Sequence, residues 1–134
     1  MEQFAKSVAD TLRSKNVDYG DVRIVIRETE SIVLKNGIIE ALTHASDIGF
    51  GVRVLLNSAW GFASANEIKK NVADKVISNA LSIARASACV KGKEIALSPL
   101  SPQNGSYCTA VEIDPMAVSL DDKIELLMAC DKAM

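Results

Sequence analysis

Histidine is almost absent from this sequence: His44 is the only one in 134 residues. A catalytic zinc generally takes three protein ligands from His, Cys and carboxylates. Neither an HExxH-type motif nor a CxxC pair occurs, so the residues point to no metal site. No GxSxG elbow accompanies the histidine, which leaves a serine-hydrolase reading without its usual frame. A hydrogen-bonded strand-end residue is the plainer role for His44. Cysteine is limited to Cys89, Cys108 and Cys130, an odd and widely spaced set that fits reduced thiols in a cytosolic protein better than a disulfide framework. With 3 Pro and 7 Gly the chain is neither fibrous nor linker-like. The stretch Met1 to Lys6 lacks an unbroken apolar region, and no run approaches the roughly 20 apolar residues that span a bilayer. A cytoplasmic location without membrane attachment is therefore expected.

Charge of one sign is also missing. There are 15 basic and 17 acidic residues, a net charge of -2, and no clustered basic surface to follow a phosphate backbone. The acidic excess falls at the C-terminal end, where residues 89–134 carry 4 Lys against 7 acidic groups, so no direct nucleic-acid partner is expected. What is present is the mix of an ordinary globular domain, 49% hydrophobic and 24% charged. A domain of this length buries roughly two thirds of its unfolded surface, so it needs neither disulfides nor a metal to fold.

Periodicity supplies the elements. Phe4, Val8 and Leu12 recur at helical spacing, with Asn16 and Gly20 as breakers. From Asp21 the period changes to two, with Val22, Ile24 and Ile26 alternating against Asp21, Arg23, Val25 and Arg27, which predicts a strand. Asn36-Gly37 suits a two-residue type I′ hairpin turn between Ser31–Lys35 and Ile38–Leu42. A second hairpin is expected around Asn57-Ser58, pairing Leu55 with Trp60 and Arg53 with Phe62 on one face. The opposite face then carries Val52, Val54, Leu56, Ala59, Gly61 and Ala63, small and apolar enough for a helix to pack closely. Ser64-Ala65-Asn66-Glu67 has the capping-box pattern and predicts a long helix directly after it, running to about Ala88. Residues 91–106 read as a loop-rich linker with a short strand at Glu94–Leu97, followed by an extended segment Tyr107–Ile113. Ser119-Leu120-Asp121-Asp122 starts a last helix with Leu120, Ile124, Leu127 and Met128 on one side. It has no stop signal before Met134, so the chain is expected to be cut from a longer protein.

Other groupings carry little chemistry. Gly49-Phe50-Gly51 and Gly61 do not form GxGxxG or a P-loop and sit among strand residues, so close backbone approach or a bulge explains them. Glu28/Glu30 and Asp121/Asp122 read as strand-end and helix-start charges.

Several strings in order resemble one family. They are Tyr19-Gly20-Asp21-Val22-Arg23, Thr29-Glu30-Ser31 before the hairpin, Gly49-Phe50-Gly51-Val52-Arg53-Val54, Ala59-Trp60-Gly61-Phe62-Ala63-Ser64, Ala80 to Ser87, Asp114-Pro115-Met116-Ala117-Val118 and Leu120 to Ile124. Together they resemble the N-terminal domain of the TldD/PmbA family, once described as modulators of DNA gyrase, and look more like the TldD branch than the PmbA (TldE) branch. The resemblance implies a cytoplasmic metalloprotease acting on unfolded peptide, working as a TldD/TldE heterodimer or a homodimer. It also implies zinc bound through an HExxxH motif and a later Cys, in a C-terminal region that this chain lacks. No position here matches that motif, so no catalytic or metal residue is carried over.

The expected fold is α+β: an N-terminal helix, an antiparallel sheet of about five strands built from hairpins, a long packing helix, and a C-terminal linker leading to a truncated helix. The expected organisation is a domain at 1–90, a linker at 91–118, and at 119–134 the start of a helix leading to a missing C-terminal domain. The expected function is the non-catalytic N-terminal part of a TldD-like protease, inactive alone and without its own cofactor, helping to form the substrate chamber and the dimer. Arg53, Trp60 and Phe62 are the candidate contact residues for peptide or for the rest of the protease. The alternative is a stand-alone interaction or scaffold domain.

Overall fold

A computed structural model describes all residues except 91 and 100. In chain order the elements are α1 (Glu2–Arg13), β1 (Tyr19–Lys35), β2 (Ile38–Leu56), β3 (Ala59–Ala65), α2 (Lys70–Ala88) and α3 (Leu120–Ala133). The strands form one antiparallel sheet in the order β1-β2-β3. The class is α+β, but the sheet has three strands among the described residues where about five were expected. The difference lies in β1 and β2, 17 and 19 residues long, each of which joins two segments read separately from the sequence. The joining stretches, Glu28-Thr29 and Thr43 to Asp47, are exposed. A ribbon that buries neither face has no need for alternating apolar residues, so its sequence looks like a break.

Two compact units result, Met1–Arg27 with Ser46–Ser98, and Glu28–Ala45 with Pro99–Met134. The first contains all of the fully buried side chains among the described residues. Val8 and Leu12 of α1, Phe50, Val52 and Val54 of β2, and Ala73, Val76, Ile77, Ala80, Leu81 and Ala84 of α2 make one core. Phe4 adds an edge-on contact to Phe50, with centroids 5.0 Å apart. The second hairpin has the expected register, Leu55 opposite Trp60 and Arg53 opposite Phe62. Its turn residues Asn57 and Ser58 have φ of 49° and 59°, as a type I′ turn requires. Asp18 supports that turn, because its carboxylate accepts from the Asn57 amide at 2.7 Å.

Two further expectations fail for identifiable reasons. Ser64 does not cap α2, because β3 continues through Ala65 and Ser64 pairs with Gly51 in the ladder. The helix starts later, at Lys70, with Lys69 as a cap that makes no side-chain hydrogen bond. Glu67 and Lys69 form an ion pair of 2.7 Å there; the hydrogen bond between them, then their charges, hold the Glu67 pKa down and the Lys69 pKa up. Both groups are exposed, so the pairing is screened by salt. The short strand expected at Glu94–Leu97 does not form among the described residues. The Ile95 amide donates to Ser58 Oγ at 3.1 Å, a side-chain partner in place of a ladder.

In the second unit α3 packs on the hairpin formed by the ends of β1 and β2. Ser119 caps it, accepting from the Asp122 amide at 3.1 Å while its hydroxyl donates to the Asp122 carboxylate. Asp131 accepts from the Gly37 amide at 2.7 Å, inside the turn where Asn36 and Gly37 have φ of 50° and 72°. Lys123 pairs with Glu30, both largely shielded, and Ile124, Leu127 and Met128 are half-buried. With so little burial the cap matters: Ser119→Ala is expected to cost about 1 kcal/mol, seen as faster amide exchange across the first turn of α3.

Candidate functional site

One face of the first unit's sheet carries α1 and α2; the other carries Arg53, Trp60 and Phe62. Strand alternation puts the three on that face, since Arg53 pairs with Phe62 and Leu55 with Trp60 in neighbouring positions. Arg53 lies over the Trp60 ring, with its guanidinium carbon 4.9 Å from the centroid, within cation–π range. Tyr19 meets Trp60 edge-on at 5.9 Å and lies 5.9 Å from the same guanidinium. Trp60 is half-buried, whereas Phe62 keeps 57% of its surface exposed.

Asp21 holds the arrangement together. Its Oδ2 accepts from Arg53 Nη2 at 2.7 Å and from Nε at 2.9 Å, and its Oδ1 lies 3.5 Å from Arg23 Nε. The hydrogen bond that Arg53 donates to Asp21, followed by the charge of that carboxylate, raises the Arg53 pKa above the usual arginine value, and an arginine is in any case cationic in a protein. One carboxylate therefore serves two guanidiniums, leaving a net positive charge at this end of the face. Tyr19 and Asp21 were not among the residues picked out from the sequence. The available signal was the alternation that sets Asp21 and Arg23 on the side opposite Val22 and Ile24.

Asp21→Asn would leave Arg53 with a neutral partner. Because Arg53 is more than a third exposed, the expected loss of stability is small, and the effect is read as a shift in the emission of the only tryptophan as the guanidinium loosens over it.

Beside this cluster lies a trough of about 560 Å³. Arg23, Val25, Gly49, Gly51 and Phe62 are among the residues that line it. Phe62 leans across Gly51, where a built Cβ would come within 2.8 Å of the ring. The absent side chain makes the ring's position possible. A smaller hollow of about 240 Å³, lined by Asp21, Arg23, Gly51, Arg53 and Phe62, adjoins it.

The arrangement is suited to contact. It lacks a nucleophile held against a base. In the second unit, His44 Nε2 lies 3.1 Å from Glu28 Oε1, with both side chains about half exposed. Among the described residues no serine or cysteine hydrogen-bonds to it, and no group of three or more His, Cys, Asp or Glu is placed to hold a metal ion. The three cysteines are free and exposed. The donor set that zinc requires is thus not offered by the described residues, and no chemical step is derived through that metal. Nor is any helix among them long and apolar enough to cross a membrane.

Residues 20–84 match the family model described as PmbA/TldA metallopeptidase domain 1. A metalloprotease of Methanocaldococcus jannaschii is 32% identical over 117 residues, 87% of this chain and 26% of the relative. A metalloprotease TldD homolog of Haemophilus influenzae is 36% identical over 62 residues, 46% of this chain and 13% of the relative. The fold matches a solved structure from Thermotoga maritima, described as a modulator of a DNA gyrase, with a TM-score of 0.70 and 17% identity over 93% of this chain and 27% of that one. The chain thus spans about a quarter of the length of the first of these relatives and of the solved structure.

Proposed function

Because the chain belongs to the PmbA/TldD family, we propose that it serves as the first, non-catalytic domain of a TldD-like zinc metalloprotease acting on unfolded peptides. On this reading the Arg53–Trp60–Phe62 face helps to form the substrate chamber and the contact with a TldD/TldE-type partner subunit or a second copy, in the cytoplasm. The observation that carries the reading is the match of residues 20–84 to a first domain. The relatives' names support the protease, and the open apolar face with a fixed guanidinium supports a contact role. Bonds would be cleaved by an HExxxH-bearing domain, with zinc held there.

The purified chain is therefore expected to leave an unfolded substrate such as reduced, alkylated casein intact and to bind no stoichiometric zinc. Joined to or assembled with an HExxxH-bearing domain of the family, it is expected to be required for cleavage. Hydrolysis or one-to-one zinc binding by the chain alone would contradict the proposal. So would a protease indifferent to its presence, which would instead favour a stand-alone scaffold domain.

A further inference from the structure

We propose that the trough lined by Arg23, Val25 and Phe62 docks an extended segment of a partner protein that presents a bulky apolar side chain with a carboxylate within two residues of it. The inference deepens the contact role given to this face and rests on that reading.

Shape and charge each contribute. Val25 and Phe62, which line the trough together with Gly49 and Gly51, stay 53% and 57% exposed and give an apolar side chain something to bury against. Arg23 lines both the trough and the adjoining hollow, its side chain 73% exposed and held, among the described residues, only by a 3.5 Å contact to Asp21. That carboxylate is already engaged by Arg53 at 2.7 and 2.9 Å. Arg23 can thus turn a guanidinium to an incoming carboxylate without breaking a better pair, and two parallel N–H donors suit that group. In an extended segment, side chains two residues apart lie on one side about 7 Å apart, so one face of the segment can supply both groups. A nucleic-acid backbone fits less well, because it needs a run of cations where this face has guanidiniums sharing a carboxylate beside an apolar trough.

The test is a titration of the chain against fluorescein-labelled acetyl-Ser-Leu-Thr-Glu-Ser-amide, followed by anisotropy and by Trp60 emission. Its counterparts carry Gln or Lys in place of Glu. The Glu peptide is expected to bind about tenfold more tightly than the Gln peptide, in line with one charge-assisted pair. Arg23→Gln should abolish the difference, and Arg23→Glu should reverse it in favour of the Lys peptide. Phe62→Ala should weaken the Glu and Gln peptides alike. Arg23 and Phe62 are exposed, so circular dichroism and the melting temperature should stay at the parent values. Equal binding of Glu and Gln peptides, a preference that survives Arg23→Glu, tighter binding of a DNA oligonucleotide, or no binding at millimolar concentration would each overturn the inference. The assay needs no protease, so such a result alongside cleavage that still requires the domain would reject the acidic partner and leave the domain's proposed function standing.

Discussion

Gly61→Ala is expected to destabilise the domain by about 3 kcal/mol or more, toward the upper end of overpacking effects. A Cβ built at Gly61 would lie 2.0 Å from the Ala80 carbonyl oxygen and 2.6 Å from the Ala84 amide nitrogen. Both are backbone atoms of α2, so no rotamer change relieves the clash and the helix must lift from β3. The lift would open the contact around Ala80, Ala84, Val52 and Val54, all with no exposed surface, and would forfeit their dispersion contacts together. Urea unfolding measures the effect. An unchanged midpoint would show that α2 does not sit on β3 at this distance.

The second large effect separates two aromatic neighbours. Trp60 is half-buried, edge-on to Tyr19 and beneath Arg53, so Trp60→Ala is expected to cost about 2–4 kcal/mol, somewhat below the range for a fully buried tryptophan. Phe62 stands mostly in solvent, and Phe62→Ala should stay within about 0.5 kcal/mol of the parent. Paired urea melts at one pH check both. Equal losses would mean that the two rings are structural alike, and would remove Phe62 as a clean probe of contact. The contrast follows from what each ring touches, since both occupy the same face of the hairpin.

Local rules made part of this molecule legible in advance. Asn36-Gly37 and Asn57-Ser58 fixed two-residue turns, and the period of two then placed Arg53, Trp60 and Phe62 on one face and Val52 and Val54 on the other, as the register confirms. Non-local partners decided the rest. Ser64 had the composition of a cap, yet a strand hydrogen bond to β2 competes for the same backbone, and pairing with Gly51 prevailed. The exposed ribbon through Glu28 and Thr43 has no apolar alternation to betray it, so two long strands looked like four short ones. Asp21 illustrates the limit within the site: its alternation was visible, but Arg53 is 32 residues away in sequence, and only the sheet shows that one carboxylate anchors a cation over Trp60.

The proposed role of this domain in the protease is contact through the open face that carries Arg53, Trp60 and Phe62. Its most direct test is the cleavage of an unfolded substrate by the full-length, zinc-loaded protease carrying Phe62→Ala in this domain. A fall in kcat/KM of about tenfold is expected, the effect of losing one well-placed contact residue, with zinc content and melting temperature unchanged. Cleavage at the parent rate by that folded, zinc-loaded variant would contradict it.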